Sequence, residues 1–443
     1  MPFIRRRAKG RAAKQTNPQG TLKRGSRMER TAPLKNAWQF VKRQNHNWKV
    51  TVARTSLEKL GYQMIFPYLS IYIVALGATK TQLGLVNSIA MAAAGLLGPL
   101  TGTLIDRIGP KKIYLIGIGL LMSSYLLYAL APGWVYCLLA MSIYWIGNSS
   151  AGHSCATICG NCLQSGDRAK GMMLCETFAA GLLGIVSPMI AALIIAELGG
   201  VSVANLKPLF YIAFSMTVLS FILVLTRLED IKWSSKHHAS GHPLRDSLQI
   251  LRGNRAARKW LMIGALNKLP FGLILPFTQV FAQEVKGADG YILGAMVTAT
   301  ALTSILFGIP SGMLADKFGR KKVLYFVIPL FWAANLILVW APSPAFLLIA
   351  GMLLGFYYIM SPITGAIEME VVPAEQMGRW IGMNHFVKSV FGAAMALLGG
   401  VIWDRLGPQY VFYLYIGIDV LLRIPLLISM PETLANKEKQ AEG

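Results

Sequence analysis

Charge is scarce in this sequence, and negative charge is scarcer still. Only 14% of the 443 residues are Asp, Glu, Lys or Arg, and the 20 acids are outnumbered by 43 bases. Soluble globular chains carry about 25% charged residues, so that class is excluded. Cysteine is rare as well. All five fall between positions 137 and 175, which excludes a disulfide framework spread over the chain. The N-terminus offers no apolar core for nearly fifty residues, so no cleavable signal peptide is read there. No nucleophile and base share an accessible face, and enzymatic chemistry is not expected.

What the chain has is hydrophobic length. Apolar residues make up 54% of it, and the mean hydropathy is +0.49. The runs 113–131 and 323–341 contain no charged residue and match the span of a bilayer. The net charge of +23 does not point to nucleic acid, because much of it lies in tails and in loops beside apolar runs.

One short stretch occurs twice. Residues 102–112 read GTLIDRIGPKK and residues 312–322 read GMLADKFGRKK, an offset of 210. Each follows one long apolar run and precedes another. Gly102 and Asp106 lie four apart and share a helix face, where a glycine lets another backbone approach. Gly109 with Pro110 ends the helix, and Arg107, Lys111 and Lys112 suit a cytoplasmic lipid surface. The second copy supplies Gly312, Asp316, Lys317, Gly319 and Arg320 at the same places.

The repeat extends further. Residues 57–68 (LEKLGYQMIFPY) match 266–277 (LNKLPFGLILPF) at an offset of 209. Ala131-Pro132 matches Ala341-Pro342, and Gly171-Met172 matches Gly382-Met383. So steady an offset means two halves of one ancestry, the parallel repeat of transporters that rock around a central site.

The duplicated stretch resembles the signature loops of the major facilitator superfamily of secondary transporters, between helices 2 and 3 and between helices 8 and 9. The resemblance covers roughly residues 50–430, with Pro110 replacing a usual base in the first copy. It implies an all-α membrane protein whose twelve transmembrane helices form two six-helix, pseudo-symmetric bundles. It also implies alternating access, with the two signature loops as gating elements.

Twelve spans are read near 50–77, 81–105, 113–131, 134–163, 169–197, 208–226, 257–284, 288–314, 323–341, 345–371, 379–402 and 409–430. The expected organisation is a basic tail (1–48), a first bundle (49–226), a linker (227–256), a second bundle (257–430) and a second tail (431–443). Residues 1–48 hold thirteen bases against Glu29 and suit anionic lipid, with Trp38, Phe40, Val41 and Trp48 as interfacial anchors. Ten loop bases lie on the signature side and four on the other, which places the signature loops and both termini in the cytoplasm of a cell-membrane protein. The linker histidines His237, His238 and His242 read as ordinary loop residues.

Charges within spans mark wet cavities or paired partners. By a rise of about 1.5 Å per residue, Glu58, His153, Glu176, Lys268, His385 and Lys388 fall at one depth, roughly 10–17 Å from the signature side. Glu58, with Arg54 a turn away, and Glu176, with no basic neighbour within a turn, are the candidate proton-coupling residues. Tyr62, Gln63, Asn148, His153, Lys268, Gln279, Tyr357, His385 and Lys388 are the candidate substrate contacts. Asp419 and Arg423 read as an internal pair.

Span 5 carries Gly181, Gly184, Ser187-Pro188 and Ala191-Ala192, similar to the Gly-Pro-rich antiporter motif of the family's exporters, with small residues replacing glycines. The arginine many proton-coupled exporters carry in span 4 is missing around Trp145. Cys155, Cys159 and Cys162 have the C-x3-C-x2-C spacing of iron–sulfur proteins, but in a span this spacing only puts them on one face. They read as free thiols, with no metal and no cofactor expected.

The expected function is alternating-access transport of a small molecule, leaning to proton-coupled efflux of amphipathic organic compounds by a monomer in the lipid bilayer. The alternative is uptake of an organic anion or other nutrient at Lys268 and Lys388. A receptor that binds without transport is a third reading.

Overall fold

The computed structural model describes residues 40–163, 171, 175, 179–229, 255–370 and 377–430. Glu176, Arg168, Lys170, the linker histidines, residues 1–39 and the tail 431–443 lie outside them. Among the described residues there is no strand, and helices occur at each of the twelve expected places. We number them α1 (His46–Ile65, continued by Leu69–Ala75), α2 (Lys80–Ile108), α3 (Pro110–Leu130), α4 (Trp134–Cys162), α5 (Ala179–Glu197) and α6 (Val203–Arg227). The second half supplies α7 (Arg255–Asn267, a π turn Pro270–Ile274, then Leu275–Glu284), α8 (Gly290–Phe318), α9 (Arg320–Trp340), α10 (Leu347–Glu370), α11 (Met377–Arg405) and α12 (Pro408–Ile418, a π turn Asp419–Arg423, then Ile424–Ile428).

Hydrocarbon offers no partner to a backbone amide, so helices are the expected response to such a composition. Eight of the described helices are long and apolar enough to cross a membrane, or nine if α2, which bends by 45° between Leu97 and Leu100, is one span. Gly98-Pro99 sits at that bend, and a proline inside a helix removes one ladder hydrogen bond. The described part of α5 is shorter, α1 carries Lys49, Arg54, Lys59 and Glu58, and α4 is interrupted by Asn, Ser and His.

Local chemistry sets the ends. Thr79 and Gln82 form a reciprocal capping box on α2, Ser202 caps α6, and Asp289 caps α8. At both signature loops the glycine between helices has positive φ, +90° at Gly109 and +109° at Gly319, a conformation that side chains resist. That explains the second glycine of each copy. The first is different. Among the described residues a Cβ at Gly102 or Gly312 would meet nothing within 4 Å, so no described backbone packs against either one. The expected close approach is absent because the signature ends of α2 and α8 face open space in this conformation.

Pro67 and Pro270 interrupt the repeat-related helices α1 and α7 at mid-depth. The repeat also survives in side-chain geometry. Lys59 lies over the Tyr62 ring and Lys268 over the Phe271 ring, each three residues on. Trp48 is fully buried, and its indole N–H donates to Gly171 O at 3.2 Å. It is therefore a packing residue and not an interfacial anchor, since α1 begins at His46 and carries it inside.

Helices α1–α6 pack on one another, with α3 against α4 and α6, α1 against α5 and α6, and α2 against α4. Likewise α8 and α9 pack on α10, and α7 on α11. The halves meet along α2 with α11 and α5 with α8. Contact is closest at the end away from the signature loops. A Cβ at Gly84 would stand 2.5 Å or less from the Ala396 carbonyl, and one at Gly400 would strike the Lys80 carbonyl. Small residues allow this approach. Hydrogen bonds add to it: Thr81 N–H donates to Asp404 Oδ2 (2.8 Å), Tyr68 O–H to Gly290 O (2.8 Å), and Lys80 Nζ pairs with Glu284 at 2.9 Å.

Gly84→Val is expected to weaken the α2–α11 contact, costing about 1–3 kcal/mol and lowering the melting temperature in detergent. Gly102→Ala, in open space, is expected to leave melting unchanged or slightly higher, by about 0.5–1 kcal/mol. Thermal unfolding of the two variants side by side checks both.

Candidate functional site

Four of the residues expected at one depth come together between the halves. His153 on α4 and His385 on α11 face each other, with ring centroids 6.5 Å apart, and both are exposed. Thr101 Oγ1 lies 2.7 Å from His153 Nδ1 and holds that ring from α2. Lys388, one turn along α11 from His385, pairs with Glu368 of α10 at 2.5 Å. Lys268 of α7 lies near enough to Lys388 to repel it, and packs close to Gly392. Its ammonium sits 4.0 Å from the Phe271 ring centroid, a contact that offsets part of its desolvation.

An aromatic bridge adjoins this cluster. Tyr62 stacks on Tyr144 (5.4 Å, 11°), Tyr144 meets Trp145 edge-on (5.7 Å), and Trp145 meets Phe271 edge-on (5.5 Å). The chain of rings therefore runs from α1 through α4 to α7 and crosses from one half to the other. Asn148 is half-buried one turn from Tyr144. Gln63 faces Gly184 of α5, where an added Cβ would lie 3.4 Å from its Nε2.

The structure separates the other expected residues from this cluster. Gln279 is buried eleven residues along α7 from Lys268, roughly 16 Å. Its Oε1 has no hydrogen-bond partner. Tyr357 is buried inside the second half against Phe331 and Tyr358. Glu58 is buried in the first half, with its Oε2 3.6 Å from Lys59 Nζ and its Oε1 unpaired. Arg54 stacks instead over Tyr114 at 5.0 Å. In the signature loops, Asp316 pairs within its own copy with Arg320 (3.6 Å) and is largely exposed, and Asp106 is exposed. Lys317 lies over the neighbouring Phe318 ring at 5.3 Å, while Arg107 is exposed.

Asp419 and Arg423 form the internal pair read from their spacing, at 2.7 Å within a π turn. Trp332 Nε1–H donates to Asp419 Oδ2 at 2.7 Å, Tyr415 O–H donates to the same oxygen at 3.1 Å, and Arg423 donates to Asn267 Oδ1. Several donors thus compensate the carboxylate, which is what a buried ion needs.

Sequence reasoning missed Thr101, Tyr144 and Phe271 and, among the charged residues of the site, Glu368. Glu368 lies three residues from the expected end of span 10, outside the layer that depth counting singles out. Lys388 counts roughly 13 Å deep on span 11. A long lysine stem and the absence of a side chain at Gly264 bring the two together. A Cβ at Gly264 would stand 2.5 Å from Glu368 Oε1 and 2.7 Å from Lys388 Cε. The available signal was a carboxylate interrupting the uncharged run 344–367.

The fold and this inter-half site define a secondary transporter, and comparison with known proteins agrees. The model of the Major Facilitator Superfamily matches residues 55–297 and 266–443. The chain belongs to that family and is a multi-pass membrane transporter. Among curated relatives, the Multidrug resistance protein MdtG of Escherichia coli O9:H4 (strain HS) is 23% identical over 403 residues, covering 84% of this chain and 92% of the relative. Among solved structures, the nucleoside transporter NupG superposes with a TM-score of 0.71 at 15% identity, over 87% of this chain and all of NupG. A D-xylose–proton symporter gives 0.68 at 16% identity, over 87% and 98%. These likenesses show the shared fold, and the proteins compared are transporters, not enzymes.

Lys388→Met is expected to strand Glu368 and destabilise the protein by about 1–3 kcal/mol. Combining it with Glu368→Gln should recover most of that loss, whereas independent roles would give additive losses. Thermal unfolding of the two single variants and the double variant reads the coupling.

Proposed function

We propose that the chain exports amphipathic organic compounds across the cell membrane in exchange for protons, working as a monomer with both termini in the cytoplasm. The observation that carries this reading is the aromatic bridge Tyr62–Tyr144–Trp145–Phe271 beside the His153–His385 and Lys268 group. Flat rings offer a flat, apolar molecule stacking surfaces of low specificity. The adjacent ionisable groups give a proton somewhere to act. The 23% identity to a protein named for multidrug resistance supports the same direction.

Alternating access asks the halves to close at one end at a time. The tight α2–α11 packing and the bonds from Thr81, Tyr68 and Lys80 support a form closed at the end away from the signature loops. In the opposite form, Gly102 and Gly312 would be the points of close approach, and Asp106 and Asp316 would exchange their exposed positions for partners across the gate. Glu58 and Glu176 remain the coupling carboxylates proposed from the sequence, and Glu368 joins them as the one placed beside the inter-half cluster.

A second reading has one observation in its favour. Lys388 is paired with Glu368, and among the described residues no carboxylate pairs with Lys268, so the described part of the site carries a net positive charge. That arrangement suits an organic anion taken up with a proton.

Proton-driven accumulation of a fluorescent dye in inverted vesicles is the expected outcome for export. Counterflow of a carboxylate with no dye movement would replace it with uptake, and binding with no movement of either would indicate a receptor. Glu58→Gln, Glu176→Gln and Glu368→Gln are each measured for the pH dependence of transport. At least one is expected to flatten it, and unchanged profiles in all three would remove the coupling assignment.

A further inference from the structure

Away from the crevice, three sulfurs meet inside the first half. Cys155 and Cys159 lie one turn apart on α4, and Cys175 joins them from the segment preceding α5. All three are buried, and their Sγ atoms lie within 4.8 Å of one another. The sequence spacing drew attention to Cys155, Cys159 and Cys162, three residues on one face of one helix. The structure replaces the third of these with a residue from a different span, which turns a stripe into a converging cluster.

A fourth atom completes the polyhedron. Thr55 Oγ1 of α1 lies 4.0 Å from Cys155 Sγ and 3.7 Å from Cys175 Sγ, while those two sulfurs are 3.7 Å apart. A tetrahedral ion with metal–sulfur bonds of about 2.3 Å has ligand–ligand edges of roughly 3.8 Å. The sulfur–sulfur edge of 3.7 Å matches that figure, while the two edges to the Thr55 oxygen, 4.0 and 3.7 Å, are longer than the roughly 3.6 Å that a metal–oxygen bond of about 2.1 Å gives. The spacing is too long for a disulfide, whose sulfurs stand about 2.05 Å apart.

Electrostatics supply the second observation. Arg54 of α1 is buried, its Nε and Nη2 have no hydrogen-bond partner, and it lies close enough to Cys155 to attract a thiolate there. A divalent ion held by three thiolates leaves one negative charge in a low-dielectric interior, and one guanidinium cancels it. Arg54 is shared between the Tyr114 ring, the Glu58 carboxylate one turn along α1 and this sulfur cluster.

We propose that Cys155, Cys159 and Cys175, with the neutral Thr55 hydroxyl in the fourth position, bind a divalent, thiophilic cation of closed d shell such as zinc, with Arg54 as the counter-charge. Binding forms three metal–sulfur bonds and releases the three thiol protons to solvent, so affinity falls as pH is lowered. The ion ties α1, α4 and the start of span 5 together within the first half. The site is closed, as structural zinc sites are.

The test uses the full chain purified in detergent under reductant, stripped with chelator and then given zinc or cadmium. Wild type is expected to retain about one ion per chain, to show a cadmium–thiolate charge-transfer band, and to melt at higher temperature when loaded. Cys155→Ser and Cys175→Ser should each abolish the band, while Cys137→Ser and Cys162→Ser should keep it. If the serine variants fail to fold, X-ray absorption of zinc-loaded wild type decides: three sulfur neighbours support the site, and fewer overturn it. Metal retention by the Cys155→Ser/Cys175→Ser double variant would overturn it. So would a wild type that binds no ion and shows five reactive thiols on denaturation, or one that shows only three because two have joined in a disulfide.

Discussion

A charge placed at membrane depth must find an opposite charge, a set of dipoles or water, and the interior of this protein is arranged by that requirement. Asp419 and Arg423 meet it with each other. They pair within one turn, Trp332 and Tyr415 donate further hydrogen bonds to Asp419, and Arg423 donates one to Asn267. Glu368 and Lys388 meet it partly, since the carboxylate is nearly buried while the lysine keeps about a quarter of its side-chain surface exposed. Lys268 meets it with a ring face, and His153 and His385 with exposure. The sequence of environments runs from the sealed interior of the second half to the crevice between halves, and the groups able to change partner are those nearest the crevice.

Helix packing imposes the complementary condition. Where the halves touch, the contact depends on residues that have little or no side chain. Gly84 and Gly400 let α2 and α11 approach to backbone contact, and Gly294 does the same for α8 against α5. Contacts of this kind are made of dispersion and short polar bonds, with no water to expel and no apolar core to unmake. Breaking them exposes small, uncharged surface, which is compatible with a joint that opens and closes. Within each half the picture differs: large rings such as Tyr72, Tyr128 and Phe210 interlock and hold six helices as one body.

Much of this was legible before any coordinates. The signature stretch and the repeat offset gave the family, the helix count and the boundaries of most spans, because hydrophobic length and positional charge are written in one dimension. The spacing of Asp419 and Arg423 gave their pairing for the same reason, since four residues on a helix is one turn. The convergence of His153, Lys268, His385 and Lys388 was reachable by counting depth alone. What counting missed depended on reach and rotation. Glu368 stands near the end of its span and escapes a depth count, while its partner's stem is long enough to reach it. Tyr357 and Gln279 lie on helices that border the crevice, but Tyr357 packs inside the second half against Phe331 and Gln279 lies about three turns along α7 from Lys268. The role of Gly264 was invisible, because only the neighbours of a missing side chain reveal why it is missing.

The repeat left two lysines in equivalent places, Lys59 and Lys268, each laid over an aromatic ring one turn on. Their immediate neighbours differ. The first keeps Glu58 beside it, whereas the second has Asn267, whose amide oxygen is engaged by Arg423. A carboxylate beside one lysine and a carboxamide beside the other therefore leave the second, among the described residues, without an acidic partner. Duplicated architecture and divergent electrostatics now coexist in one polypeptide, and a solute between the lobes meets mirror-like shapes bearing unequal charge. Vectorial behaviour needs such inequality somewhere, and here it traces to one pair of matched positions, Glu58 and Asn267.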